Sequence, residues 1–302
     1  MFGLPFDQPG SFFRGNIHSH STNSDGALPP GELIARYQAA GYDFLAVTDH
    51  FLERYGCSVT DTRQFRTSSF TTLLGAELHA PALENGSLWH LVSVGLPLDF
   101  PAPDPQETGR ELAERATAAG AFLGIAHPAW NGVSLLDAET IEVADAVEIF
   151  NTGHTSDSDR GNGWYLADLL ATRGRRFSTF AADDAHFKER PDRFGGWVRV
   201  KAESLTPEAL LASLKAGYYY SSQGPEIHDI KVSDDIITVT CSPAASIHVG
   251  GRGSICRYRN GSDLVEAEFP LAPFADAFFR ITIRDAAGNR AWSNPIWPDD
   301  VG

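Results

Sequence analysis

The sequence predicts an α/β barrel followed by a small antiparallel β domain. Two observations carry this. Short apolar runs alternate with amphipathic stretches through the first two thirds of the chain, the pattern of a parallel sheet covered by helices. From Gly224-Pro225 onward the pattern changes to short alternating runs divided by Gly- and Asn-containing turns, with no helical periodicity. The expected division is therefore 1–224 for the barrel and 225–302 for the β domain, the latter sandwich-like.

Each element has its own signal. Residues 18–20 read as an extended strand, and 29–41 as a helix with prolines at its start and Gly41 at its end. Residues 42–50 form an apolar strand, so the first unit is a β-α-β step with a right-handed crossover. Strands are expected at 73–79, 88–95, 121–128, 145–151 and 177–182, and helices at 106–120 and 164–173, the second closed by Gly174. Residues 197–200 and a helix over 206–216, with Thr206 capping before Pro207, complete the barrel. In the tail, 236–240, 246–249 and 278–284 read as strands, with turns at 259–262 and 287–289.

Composition limits the function classes. The chain has 302 residues, 42% hydrophobic and 21% charged, which is globular usage. A net charge of −15 argues against nucleic-acid polymers and anionic membranes as partners. No apolar run approaches a membrane span, and the N-terminus has neither a basic nor an apolar leader segment, so a cytoplasmic setting is expected. Cys57, Cys241 and Cys256 form no C-x-x-C pattern; buried free thiols are expected, with a 241–256 pair as the alternative. Residues 226–302 hold more acids than bases and so are expected to offer no basic surface.

The chemistry is concentrated where apolar runs stop. His18 and His20, one strand period apart, point to the same side. Asp25, His50, Glu77, His90, His127, Asp184 and His186 stand at successive strand ends. Neutral imidazoles and carboxylates brought together are a ligand set for divalent ions. Any one of these residues could be structural, but nine at one edge would leave costly buried charge unless cations compensate it. Asp183 competes with Asp184; Asp184 is preferred because its i, i+2 relation to His186 points both inward along an extended strand.

The motifs His18-x-His20, Ser24-Asp25-Gly26, Thr48-Asp49-His50, Gly75-x-Glu77, His90, His127-Pro128, Glu148-x-x-Asn151 and Asp184-x-His186 resemble those of the polymerase-and-histidinol-phosphatase (PHP) superfamily of metal-dependent hydrolases. The continuation over 209–225 is similar to the branch that includes carbaryl hydrolase-like enzymes. The resemblance implies a distorted seven-stranded β/α (TIM-like) barrel holding two to three divalent ions, manganese, zinc or iron. It assigns His18, His20, Glu77 and Asp184 to one ion. Glu77, His90 and His127 fall to a second, and Asp25, His50 and His186 to a third. A histidine stands at position 25 in some members; a carboxylate there favours harder ions and weakens the third site.

The implied reaction is metal-assisted hydrolysis by a metal-bridging hydroxide, with Glu77, His20 and Asp184 holding it. Three ions can neutralise a dianionic phosphate, so a small phosphomonoester or phosphodiester is the expected substrate. A carbamate or carboxylic ester hydrolase is the alternative on the same site, and a non-catalytic metal- or carbohydrate-binding module is the alternative outside enzymes. Asp49 is expected either to orient a ligand histidine or to cap its strand. His79, Asn151, His154 and Arg160 are candidate substrate contacts, and Lys188, Arg190 and Arg193 further ones, with solvated charge as the competing explanation. His228 and His248 are expected to be structural.

Overall fold

The computed structural model describes residues 3–301. Strand β1 (Ser11–Asn16) leads into the His-x-His segment, and α1 (Pro30–Ala39) packs Leu33, Ile34 and Tyr37 inward. The helix stops where Gly41 takes φ +78°, a conformation that costs glycine little. Strands β2 (Phe44–Val47), the two-residue β3 (His50–Phe51), β4 (Thr71–Ala80) and β5 (Trp89–Val94) come after it. Next come α2 (Gly109–Ala118), β6 (Phe122–Ile125), the short α3 (Pro128–Asn131) and α4 (Leu135–Thr140), and β7 (Ala146–Asn151). Then α5 (Thr152–Ser158), α6 (Trp164–Thr172), β8 (Ser178–Ala182), β9 (Trp197–Ala202), α7 (Pro207–Lys215) and β10 (Tyr219–Ser222) complete this part.

Caps set several helix starts. Thr108 and Glu111 form a reciprocal capping box on α2, and the Thr206 hydroxyl accepts from the Ala209 amide before Pro207.

The sheet runs β9-β1-β2-β4-β5-β6-β7-β8. It then curls back on itself. A parallel bridge joins Ser19 to Ala185 just past β1 and β8, and the amides of Asp184 and His20 donate to the carbonyls of His18 and Ala185. Phe44, Leu73, Val92, Phe122, Ala146, Phe180 and Val198, from seven strands, share one buried cluster with Leu210 and Leu214 of α7. Space inside is tight: a Cβ on Gly124 would lie 2.4 Å from the Phe180 ring.

The all-parallel expectation is corrected. Pairs β1–β2, β2–β4, β6–β7 and β7–β8 are parallel, but β5 is antiparallel to both β4 and β6, and β9 is antiparallel to β1. Residues 81–88 are too few for a crossover between parallel strands, so the chain must turn back after β4. Residues 152–158, directly after β7, form helix α5.

Beyond Pro225 come β11 (Ile227–Ser233), β12 (Ile236–Gly251), β13 (Cys256–Pro270), β14 (Phe279–Arg284) and β15 (Arg290–Trp292), all pairing antiparallel. Here β12 is one long strand where two were expected. The expected turn at 259–262 lies within β13, absorbed by register shifts opposite Ala244. This unit has its own apolar cluster around Ile237, Val239, Ile247, Val249, Phe269 and Ile281. Its sheet continues into the barrel through β15–β10 pairing, and Phe278, Trp292 and Trp297 pack into the barrel's largest cluster. The three cysteines are free and only Cys241 is buried; Cys256 stands opposite Gly250 rather than Cys241.

Candidate metal centre

The histidines and carboxylates named from the sequence converge on one end of the curled sheet. His18 and His20 leave β1 on the same side, their rings 5.3 Å apart. Glu77, on β4, is buried at their centre. Its Oε1 lies 2.7 Å from His90 Nδ1, 3.0 Å from His127 Nε2 and 3.7 Å from His18 Nε2. Its Oε2 lies 2.6 Å from His50 Nδ1 and 3.6 Å from His20 Nε2. Because β5 is reversed, its N-terminal end reaches this edge, and His90 stands directly opposite His79.

Asp184 forms the second centre of charge. Its Oδ1 is 3.0 Å from His20 Nε2 and 3.4 Å from His18 Nε2, while Oδ2 is 3.1 Å from His154 Nε2. Asp25 Oδ1 faces His186 Nε2 at 3.1 Å and His50 Nε2 at 3.4 Å; Lys188 Nζ takes Oδ2 at 2.9 Å.

Burial and neighbouring charge set the protonation tendencies. Burial alone would raise the Glu77 carboxyl, but His90 and His50 hold it well below the usual range. Burial likewise opposes Asp184, and His18 with its other histidine partners brings it down. Burial, with His186 and His50 beside it, pushes His20 down to about 4. His18 is also fully buried, which opposes its protonation, yet Asp184 and Glu148 raise it well above the ordinary value.

This donor set fits divalent cations. His18 Nε2, both ring nitrogens of His20, Glu77 Oε2 and Asp25 Oδ1 are buried with no hydrogen-bond partner. Ligand-type atoms within 4.8 Å of one another group as His18, His20 and Glu77; as Glu77, His90 and His127; as His18, His127 and Asp184; and as His20, Asp25, His50 and His186. Imidazole nitrogens and carboxylate oxygens crowded in this way satisfy one another poorly, whereas a cation between them satisfies all.

Other residues take different places from those expected. Asp49 orients no histidine: its carboxylate accepts from the Ser21 amide and hydroxyl, and from the Ser24 and Thr60 hydroxyls, organising the loop that carries Asp25. Asp184 is the aspartate in the cluster, but not through an extended i, i+2 relation to His186, since β8 ends at Ala182 and Asp184 has φ +53°. Asp183 turns the opposite way, accepting from Tyr37, Thr152 and the amides of Phe194, Gly195 and Gly196.

Asn151 is buried below the cleft, where it caps α5 at the His154 amide and donates to Glu148 and Asp184. Arg160 is exposed beyond α5 and does not line the cleft. His79 does line it, 2.9 Å from His50.

Two contributors are hard to find from sequence. Glu148 accepts from His18 Nδ1 at 3.1 Å and from the His127 amide at 2.6 Å, fixing both. The Glu148-x-x-Asn151 spacing is its only signal. Trp130 stacks on His154, ring centroids 4.2 Å apart, and forms a wall of the cleft with Leu52 and Leu88. Lys188, Arg190 and Arg54 also line the roughly 610 Å³ space.

No family model matches the chain, and no curated protein matches it. Among solved structures it is similar to a two-domain protein from Bacteroides vulgatus containing a predicted PHP-like metal-dependent phosphoesterase. That match has 10% identity and a TM-score of 0.52, covering 92% of this chain and 93% of the other. A candidate metal-dependent phosphoesterase from Bifidobacterium adolescentis aligns at 15% identity and TM-score 0.43, covering 59% of this chain and 90% of the other. An amidohydrolase from Chromobacterium violaceum, with bound sulfate and no metal, aligns at 16% and TM-score 0.41, covering 57% and 87%. The Bacteroides match shows that the mixed α/β fold is shared over nearly the whole chain.

Proposed function

We propose that this protein is a metal-dependent phosphoesterase of the PHP type. The observation that carries the proposal is Glu77, buried and touched from both oxygens by histidines from four separate segments. A buried carboxylate so placed is suited to bridge two cations, one with His18, His20 and Asp184 and the other with His90 and His127. Asp25, His50 and His186 form the candidate third position, where Lys188 already balances part of the Asp25 charge.

Divalent ions bound there would supply Lewis acidity and an acidified water. The chain's own residues then have definite tasks. Glu148 and Asn151 hold His18 and Asp184 in place, so the ligand atoms need not reorganise. Lys188 and Arg190 line the cleft but are each paired with carboxylates, Lys188 with Asp25 and Arg190 with Asp157 and Asp192, so the positive charge for a phosphoryl group would come mainly from the bound cations. Trp130, Leu52 and Leu88 offer an apolar surface to the leaving group and limit water on that side.

Release of p-nitrophenol from phosphate, bis-phosphate, acetate and carbamate esters, in Mn²⁺ or Zn²⁺, tests this reading. Turnover of a phosphate ester that is abolished by chelation is expected. Turnover confined to the acetate or carbamate would overturn it.

A further inference from the structure

The β unit carries a cationic face that the metal centre does not use. Register alone places it: Arg284 pairs with Arg290 across β14–β15, Thr282 with Trp292 and with His248, and Arg280 with Gly250. Paired residues of an antiparallel sheet share a side, and the opposite side is core, with Ile247, Val249, Ile281, Ile283 and Ala291 fully buried. The expectation that this unit offers no basic surface is thus corrected. The count of acids and bases conceals that three arginines and one histidine lie on one face.

Like charges directly opposite on a sheet are destabilising. Among the described residues, no carboxylate lies within 4.0 Å of Arg284 or Arg290, whereas Arg280 is held by both oxygens of Asp168 and lies over the Trp164 ring. The three arginines also act on His248, whose imidazole is pushed below its ordinary value by burial and by their charge. Tyr258 stacks beside that ring and the Ser246 hydroxyl meets Nε2 at 2.9 Å, and among the described residues no carboxylate oxygen lies within 4.0 Å of its ring nitrogens.

Two hollows adjoin here. One, about 370 Å³, is lined by His248, Arg280, Thr282, Arg284 and Arg290. Its neighbour, about 410 Å³, shares Arg280, Thr282 and Arg290 and runs toward the barrel between Asn162, Trp164 and Trp292. Trp164 is only 8% exposed, and its indole Nε1 is buried without a hydrogen-bond partner. Helix α5 separates this groove from the metal cleft: His154 and Asp157 line the cleft, Thr155 and Asp159 the groove.

We propose that this groove is a second ligand site, binding a phosphorylated small molecule with its phosphate between Arg284 and Arg290 and its neutral body beside Trp164. Two guanidinium forks and a histidine match the charge and the acceptor-only oxygens of a phosphate dianion. The body of the ligand would lie along Asn162 and the edges of Trp164 and Trp292.

Titration of the full-length protein with inorganic phosphate, followed by the His248 ring resonances in NMR, tests the proposal; His248→Gln identifies those resonances. Bound phosphate is expected to raise the His248 pKa. Arg284→Gln with Arg290→Gln, both exposed and unlike core substitutions in their folding risk, should weaken the response at least tenfold. Glu77→Gln should leave it unchanged. A His248 signal indifferent to saturating phosphate, or equal affinity in the double variant and the wild type, would overturn it.

Discussion

At the scale of single residues, the candidate site is a set of potential ligand atoms and a second set that holds them still. Glu148 belongs to the second set. Truncation by Glu148→Ala releases His18 Nδ1 and the His127 amide together, and loss of such a supporting partner typically weakens metal affinity about 10–100-fold. Competition with a fluorescent chelator measures this directly. Asp183 is a different case. It accepts five donors and faces away from the histidine cluster, so Asp183→Ala leaves buried donors unpaired and should cost at least about 3 kcal/mol in denaturant unfolding. Most of the histidines and carboxylates were legible because they stand in or beside an apolar run that marks a strand, whereas Asp25 lies in a polar loop and was legible only through its spacing from His20. Glu148 lies inside such a run, and Asp49 and Arg160 could not be placed, because loop paths decide what they touch.

At the scale of elements, strand order was harder to read than strand existence. The alternation of apolar runs identified β2, β4, β5, β6, β7 and β8, but the sense of β5 depends on the length of the link before it. The two-strand expectation over 236–249 failed because register shifts let β12 continue as one strand through Ser242-Pro243. Two predictions belong at this scale. Gly124→Ala forces the Phe180 ring to move and should cost about 1–3 kcal/mol by overpacking; the shift of the urea midpoint measures it. Asp145 stands ahead of β7, and burial raises its carboxyl above the ordinary value although the Leu123 amide donates to it. A carboxyl whose folded pKa is raised costs stability when ionised: the penalty is complete above the folded value and vanishes below the unfolded one. Asp145→Asn keeps an acceptor for Leu123. It should raise the Tm at neutral pH and leave it unchanged near about pH 3.

At the scale of the whole molecule, the change of pattern at Gly224-Pro225 marks a change of architecture but not a break in bonding. The β15–β10 ladder crosses it. Asn294 joins Thr179 to Gly217 and Tyr219, and Arg176 pairs with Asp299 and Asp300. Calorimetry of the full chain should therefore give a single transition, with a calorimetric enthalpy equal to the van't Hoff enthalpy. Two separated transitions would mean that the junction couples the units weakly. The composition could not reveal this weld, since it is made of backbone pairing and a few side chains distant in sequence.

The central claim is that Glu77 organises a centre for at least two divalent ions. Equilibrium dialysis against Mn²⁺ or Zn²⁺ with elemental analysis, on the wild type and Glu77→Gln, tests it most directly. Two or three ions per chain are expected in the wild type and at most one in the variant, with circular dichroism unchanged. A wild type that retains none, or a Glu77→Gln protein with full metal content, would contradict the claim.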